Sequence, residues 1–84
     1  MSYRVYIEKP ARKFIQKQSP DQQRRILTAL YKLPNEGDIF PMRGKTNQYR
    51  VRIGTYRAVY NLDRDVLTVT VIKVNNRGDV YKRF

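Results

Sequence analysis

Apolar residues occupy every second position near the start of the chain, at Tyr3, Val5 and Ile7. Because successive side chains of a β-strand point to opposite faces of the sheet, this alternation over residues 2–8 predicts a strand with one buried face. The strand ends at Lys9-Pro10, where proline suits the first turn of a helix.

After Pro10 the apolar residues change to helical spacing and predict two helices. The buried stripe of the first helix consists of Ala11, Phe14, Ile15 and Gln18. The second helix begins at Ser19-Pro20-Asp21-Gln22, where Ser19 is the N-cap and Gln22 stands in the capping-box position. Its stripe consists of Ile26, Leu27, Leu30, Tyr31 and Leu33, and Pro34 ends it. Both stripes are typical of core residues, so we expect an antiparallel helical hairpin packed on a sheet.

The segment Tyr49–Tyr60, YRVRIGTYRAVY, predicts two strands joined at Gly54-Thr55. Glycine at the first central position of a two-residue loop is the signature of a type II′ β-hairpin. In that register Arg52 faces Arg57. The core face comprises Tyr49, Val51, Ile53, Tyr56, Ala58 and Tyr60, and the opposite face carries Arg50, Arg52, Arg57 and Val59.

The pairing of Arg52 with Arg57 breaks a local rule, because like charges directly opposite each other on a sheet repel. A violation without visible compensation is expected at a functional site. We hypothesise that the missing compensation is a bound anion. The alternative is a solvated face whose arginines only keep the sheet in water, since isolated surface charges contribute little.

Residues 34–48 lie between the helices and the hairpin and show no periodicity. They contain two prolines and two glycines, so they are interpreted as a loop longer than most connections in compact domains. The residues expected to pin this loop to the body are Ile39, Phe40 and Met42. Arg43 and Lys45 flank Gly44 just before the hairpin and extend its basic face.

After the hairpin, Asn61–Asp65 predicts a turn, and Leu67–Val74 predicts an inner strand rich in β-branched residues. By strict alternation the two faces of that strand are Leu67/Val69/Val71/Lys73 and Thr68/Thr70/Ile72/Val74, both largely apolar. Alternation alone does not place Lys73. Asn75–Gly78 is interpreted as a loop, and Asp79 is a possible cap for a last short turn, VYKRF.

These elements predict one α+β domain over residues 1–84 with the order β-α-α-β-β-β and a short C-terminal tail or helix. The last three strands form an antiparallel meander. The helical hairpin covers one face of this antiparallel sheet, which leaves the arginine-bearing face open.

The charge of the chain points to a polyanionic partner. There are 18 Lys and Arg residues against seven Asp and Glu residues, a net charge of +11, and the basic residues are spread along the whole sequence. Such a surface attracts nucleic acid, a ribosome or an acidic protein. An anionic membrane is disfavoured because the sequence has no long apolar segment.

Cysteine and histidine are both absent from the sequence. The chain therefore has no disulfide, no thiolate metal site, and neither the usual metal-binding side chain nor the usual acid–base at neutral pH. We expect no metal, no small-molecule cofactor and a cytoplasmic location.

The segments PMRGKTNQYRVRIGTYRAVY and VIKVNNRGDVYKRF resemble the RelE branch of the RelE/ParE toxin superfamily. That branch has the pattern L-R-G … Y-R-V-R-x-G-x-Y-R-v-v-Y followed by v-x-x-V-x-x-R-x-x-V-Y. The resemblance covers the whole chain and is strongest over residues 43–81. It implies the compact RelE-like fold, which is related in architecture to microbial RNases.

The resemblance also implies a function. It identifies the chain as the toxin of a type II toxin–antitoxin pair, a ribosome-dependent endoribonuclease and thus a hydrolase acting on phosphodiester bonds. Such a toxin inhibits translation by cleaving mRNA in the ribosomal A site, through attack of the preceding 2′-OH without a metal. The implied partners are the ribosome, its mRNA and an acidic, RelB-like antitoxin.

Carried over by position, Arg57 and Arg77 would hold and neutralise the scissile phosphate. Tyr81 would stack on a base or take part in proton transfer. Arg50 and Arg52 complete the catalytic set and stand where some relatives have lysines. The residues expected to contact RNA or the ribosome are Arg43, Lys45, Lys73, Lys82 and Arg83.

This sequence departs from the family pattern at the residues that would move protons. Arginine is effectively never deprotonated, Asn76 stands where many relatives have a histidine, and Gly78 stands where many have a second basic residue. The general base therefore stays unassigned.

Two other functions fit the same fold and charge. One is a ParE-like toxin that poisons DNA gyrase, and the other is a non-catalytic basic RNA-binding module. The combination of Arg57, Arg77 and Tyr81 resembles the RNase branch and favours cleavage of mRNA over the gyrase poison. A binding module would need only the charge and would tolerate Arg57→Lys.

Overall fold

The α+β architecture is confirmed in a computed structural model of the chain, which describes residues 3–76. The elements are β1 (Arg4–Ile7), α1 (Lys9–Gln16), α2 (Pro20–Leu30), β2 (Asp38–Pro41), β3 (Gln48–Ile53), β4 (Tyr56–Asp63) and β5 (Thr68–Asn76). The five strands form one sheet in the order β1-β5-β4-β3-β2. Within the described residues, no helix is both long and apolar enough to span a membrane.

The predicted meander is present, since β3, β4 and β5 pair antiparallel in sequence order. The sheet is not antiparallel throughout, because β1 pairs parallel with β5. A parallel pair needs a long connection. Here β1 and β5 are the first and last described strands, so all the elements between them form that connection. Both edges of the sheet are short strands, which limits the unpaired backbone available for unwanted pairing.

The two helices pack on one face of the sheet, α1 against β5 and α2 against β3. Ser19 caps α2 as predicted, and its hydroxyl accepts a hydrogen bond from the backbone N–H of Gln22 at 3.4 Å. The core joins the helices to the hairpin in one cluster of buried residues. Its helical and post-helical members are Ala11, Ile15, Ile26, Leu30 and Leu33.

One residue of the predicted helical stripe is misplaced. Helix α2 ends at Leu30, and Tyr31 is its C-cap. Tyr31 is 61% exposed. The helix ends one residue before it, so the helical spacing no longer places its side chain on the buried face. Leu33 nevertheless reaches the core from the turn that follows.

The hairpin follows the predicted register, with Ile53 opposite Tyr56 and Arg52 opposite Arg57. Gly54 has a φ of 61°, and Thr55 is not among the residues with positive φ. A positive φ at the first central position alone is the type II′ geometry. The core face is buried as expected at Val51, Ile53, Tyr56, Ala58 and Tyr60, and Tyr49 packs against it.

The interpretation of residues 34–48 as a loop is wrong for Asp38–Pro41, which form β2 and pair antiparallel with β3. A four-residue strand is too short to show a period, and its terminal proline is typical of an edge strand. Ile39 packs against the core as expected. Phe40 instead lies opposite Arg50 in the ladder, on the face away from the helices.

Strand β5 contains a bulge that strict alternation does not reveal. Val59 pairs with Lys73 and Tyr60 with Val71, so Ile72 is an extra residue in the ladder. A bulge shifts the alternation by one position. Val74 therefore joins Val69 and Val71 in the core, and Lys73, which alternation alone does not place, lies opposite Val59 on the other face.

Two further boundaries differ from the predictions. Strand β4 continues to Asp63, so Asn61, Leu62 and Asp63 belong to the strand and the turn begins after Asp63. Strand β5 continues to Asn76, so the prediction of a loop over Asn75–Gly78 is wrong for Asn75 and Asn76. Asparagine has low strand propensity, but pairing with the end of β4 overrides it. The predicted turn at Asp79 and VYKRF lies outside the described residues.

We predict that Gly54→Ala weakens the fold. An L-residue in the left-handed conformation costs about 1–2 kcal/mol, and the added Cβ would lie 3.5 Å from Arg25 Nη1, so backbone strain is the main effect. Urea unfolding should show a free energy of unfolding lower by about 1 kcal/mol. Thr55→Ala is the matched control, and equal stability of the two variants would contradict the type II′ assignment.

A second prediction concerns alkaline pH. Burial, and next the neighbouring Tyr49, raise the pKa of Tyr60 to about 12 from an ordinary value of 10. The neutral phenol is thus favoured in the folded state, and its contribution is complete below pH 10 and lost as pH rises toward 12. Tyr60→Phe should therefore lose less stability than the wild type between pH 10 and 12. Parallel stability profiles for the two proteins would refute this.

Candidate nucleic-acid interface

The sheet surface opposite the helices, called here the outer face, is built from side chains of four adjacent strands. One row across the strands consists of Asp38, Arg52, Arg57 and Asn75, and the next row consists of Phe40, Arg50, Val59 and Lys73. Because neighbouring strands lie about 4.8 Å apart, these rows form a continuous basic surface. The face holds all three hairpin arginines predicted from the sequence.

Arg52 is neutralised within the chain. Its Nε donates to Oδ2 of Asp38 at 2.9 Å, and its Nη2 lies 2.8 Å from the same oxygen. Of the two facing arginines, Arg52 therefore has its counter-charge within the chain, in a carboxylate on β2. The pair is partly exposed, so it contributes less than about 1 kcal/mol and mainly orients the guanidinium.

Arg57 is different because it lies at the centre of its row. Its side chain is half-buried, and among the described residues none accepts a hydrogen bond from its buried Nε. A buried donor without an acceptor costs about 1–3 kcal/mol. The two ion pairs formed within residues 3–76 are Arg24–Asp21 and Arg52–Asp38, so neither neutralises Arg57. Arg57 therefore carries a positive charge on the outer face that no described carboxylate compensates.

Arg50 lies in the second row, beside an aromatic ring. Its Cζ is 5.8 Å from the centroid of the Phe40 ring, and Cζ of Arg52 is 5.0 Å from the same centroid. Both distances are within the range of cation–π attraction. The ring therefore holds two guanidinium groups close together on the outer face without removing their charge.

The other predicted contact residues are distributed unevenly. Lys73 is exposed on the outer face, at the end of the row that contains Arg50. Arg43 and Arg50 line the same shallow concavity, whereas Lys45 is exposed in the turn between β2 and β3 and does not line it. The predicted residues Arg77, Tyr81, Lys82 and Arg83 lie outside the described residues.

Arg64 is a basic residue that is already engaged elsewhere. Its guanidinium donates to Oδ1 of Asn47 at 2.7 Å and to the hydroxyl of Tyr49 at 3.0 Å. The hydrogen bond to Tyr49, followed by the interaction with its charged form, raises the pKa of Arg64 above its ordinary value. Arg64 ties the turn before β3 to the turn after β4 and is not part of the outer face.

Two residues of this face were missed as functional candidates in the sequence. Asp38 was assigned to a loop, and Phe40 was expected only to pin that loop to the body. The alternation of Asp38, Ile39 and Phe40 was the available signal, since it puts Ile39 on one face and its two neighbours on the other. A stretch this short does not separate a strand from a loop.

Comparison with known proteins places the sequence in a family. The family model described as ParE toxin of type II toxin-antitoxin system, parDE, matches residues 7–81. The chain is also similar to Toxin RelG of Mycobacterium tuberculosis (strain ATCC 25618 / H37Rv). The two sequences are 34% identical over 92 aligned positions, and the alignment covers 99% of this chain and all of the relative.

Solved structures show the same fold. The archaeal RelE–RelB complex from Pyrococcus horikoshii OT3 matches with a TM-score of 0.74 and 28% identity, covering 93% of this chain and 98% of that chain. The toxin–antitoxin complex RelBE2 from Mycobacterium tuberculosis matches with a TM-score of 0.78 and 24% identity, covering 92% and 100%. With a matching family model and a relative above 30% identity over its full length, the chain belongs to the RelE/ParE superfamily of type II toxin–antitoxin toxins.

Proposed function

We propose that this toxin is a ribosome-dependent endoribonuclease that cleaves mRNA in the ribosomal A site. The observation that carries the proposal is Arg57, a half-buried arginine at the centre of a basic face whose buried Nε has no acceptor among the described residues. A phosphodiester would compensate the charge of this guanidinium, which no described carboxylate neutralises, because phosphate oxygens accept charge-assisted hydrogen bonds from a guanidinium.

In the proposed reaction the 2′-oxygen of the preceding ribose forms a bond to phosphorus, and the bond from phosphorus to the 5′-oxygen breaks. The products are a 2′,3′-cyclic phosphate and a free 5′-hydroxyl. The 2′-hydroxyl loses a proton, and the leaving oxygen gains one. All atoms come from the RNA, so the protein needs to bind, orient and neutralise.

Arg57 would act on the charge that develops at the phosphorus. The pentacoordinate intermediate carries more negative charge than the substrate, and a fixed guanidinium aimed at it stabilises the transition state by several kcal/mol. Arg52, held in place by Asp38, would contact the same phosphate from the facing strand. The proposed role of Arg77 in this clamp and that of Tyr81 beside it are carried over from the family pattern.

The ribosome would supply the geometry that the flat outer face lacks. A 2′-hydroxyl reacts only when it lies in line with the leaving oxygen, and correct orientation is worth several kcal/mol of barrier. A codon held in the decoding site is already ordered. Arg43, Lys45 and Lys73, together with Lys82 and Arg83, would contribute contacts to phosphates of mRNA or ribosomal RNA. Action on the ribosome implies a cytoplasmic location.

The expected protein partner is an acidic antitoxin similar to RelB. The solved neighbours from Pyrococcus horikoshii and Mycobacterium tuberculosis are complexes of this kind, and the net charge of +11 favours an acidic segment. By covering the outer face, such a segment would pair with the arginines and block access to the ribosome. Opposite charges also speed the encounter of the two proteins.

A gyrase-directed toxin is the second candidate because the matching family model is described for ParE. The two activities differ in substrate, so one experiment separates them. Primer extension on mRNA from a purified translation system should show cuts inside the A-site codon only when ribosomes are present. Absence of cuts in both conditions, together with inhibition of gyrase supercoiling, would replace the proposal with the second candidate.

We predict that Arg57→Ala lowers the rate of ribosome-dependent cleavage by at least about a hundredfold, the usual effect of removing one transition-state donor. Arg57→Lys should recover only part of this loss, because lysine cannot bind a phosphate through two parallel hydrogen bonds. Arg24→Ala is the matched control, since it removes the same charge from helix α2. Full cleavage by Arg57→Ala would exclude the phosphate-clamping role.

We also predict a steep dependence of RNA binding on salt. Each phosphate contact to single-stranded RNA contributes a slope of about −0.7 in log K against log salt concentration. Arg57→Ala should therefore lower the steepness by about 0.7, as measured by fluorescence anisotropy from low to physiological salt. A flat dependence in the wild type would argue against a nucleic-acid ligand of any kind.

A further inference from the structure

Phe40 is placed where a loop anchor would not lie. Its neighbour Ile39 packs against the core, whereas Phe40 lies opposite Arg50 on the outer face and stays partly exposed. An aromatic ring on a charged, solvent-facing surface is not explained by core packing. Its rigid, flat shape is suited to a flat ligand.

The ring forms one wall of a concavity of about 540 Å³ at the β2 edge of the sheet. The lining residues are Phe40, Pro41, Met42, Arg43 and Arg50. Three of these residues are apolar and two are arginines. The apolar side chains suit a flat apolar group, and the arginines suit an anion attached to that group. The volume is also in the range of small-molecule sites in proteins.

We propose that this concavity is a nucleobase subsite, in which one base of a bound single-stranded RNA stacks on Phe40. Arg50, which lies over the Phe40 ring in the absence of RNA, moves off the ring and stacks on the bound base, since guanidinium planes stack on bases as they do on aromatic rings. Arg43 and Arg50 contact the phosphates on either side of that base. The identification of the ligand as RNA rests on the proposed function.

The position of the subsite relative to Arg57 indicates which nucleotide it takes. Phe40 is two strands away from Arg57 and one row away, since Asp38, Arg52 and Arg57 share the other row. The separation is therefore about 10 Å across the strands and about 7 Å along them. A base at Phe40 is therefore part of a nucleotide near the cleaved bond, but not of the nucleotide whose phosphate Arg57 holds. The subsite would thus contribute to which RNA sequence, or which register of the RNA, is cleaved.

The test is a double-mutant cycle between protein and RNA. Binding of the purified full-length chain to a short labelled RNA, made uncleavable by 2′-O-methyl groups, is measured by anisotropy. The RNA is compared with a series in which one nucleotide at a time is abasic. The protein variant is Phe40→Leu, which keeps an apolar side chain, and the control is Tyr31→Ala, which removes an exposed aromatic ring from the end of α2. Equal thermal unfolding midpoints establish that the variants are folded.

The expected result has three parts. Phe40→Leu lowers the affinity for intact RNA about tenfold, the scale of one base–aromatic stack. One abasic position lowers the affinity of the wild type by about the same factor. That abasic substitution has no further effect on Phe40→Leu, whereas Tyr31→Ala behaves as the wild type throughout.

The subsite is overturned if Phe40→Leu binds intact RNA as tightly as the wild type, or if every abasic position affects both proteins equally. Ribosome-dependent cleavage by the wild type, measured in parallel, separates this outcome from failure of the proposed function. Cleavage without coupling at Phe40 removes the subsite alone. Coupling without cleavage removes the endonuclease and retains a base-stacking RNA site.

Discussion

The register of the β3–β4 hairpin determines the positions of the three arginines Arg50, Arg52 and Arg57 on the outer face. The turn at Gly54-Thr55 puts Arg52 directly opposite Arg57, and the same alternation buries Val51, Ala58 and Tyr60 against the helices. A slip of one residue would exchange the two faces. The core therefore prevents the arginines from moving apart to relieve their repulsion, and hydrophobic burial maintains a concentration of positive charge that is electrostatically unfavourable.

The neighbouring strands relieve this repulsion unequally. Asp38 neutralises Arg52, and the Phe40 ring attracts both Arg50 and Arg52. No described carboxylate neutralises Arg57 and no described aromatic ring attracts it, and its Nε is buried without an acceptor. The sheet thus contains one arginine that is neutralised by its own chain and, facing it, one that no described carboxylate neutralises.

The sequence was most informative where a local signal determines the structure. The glycine of the turn, the Ser19 cap and the alternation of the hairpin predicted the main elements, the core face and the arginine cluster. It was uninformative where structure depends on pairing with distant strands. Strand β2 forms because the backbone of β3 is available beside it, and the bulge at Ile72 depends on how β5 meets β4. Asp38 and Phe40 were missed for the first reason, and the face of Lys73 could not be assigned for the second.

Strand β2 gives the outer face a region that can change independently of folding. It contributes Asp38 and Phe40 to the surface, but its one contact with the core is the partly buried Ile39. An edge strand has only one neighbour in the ladder, so substitutions on its outer side leave the remaining strand pairs intact. Related chains could thus acquire different ligand preferences by exchanging a few residues in β2, while the hairpin and its arginines stay under the constraint of the core.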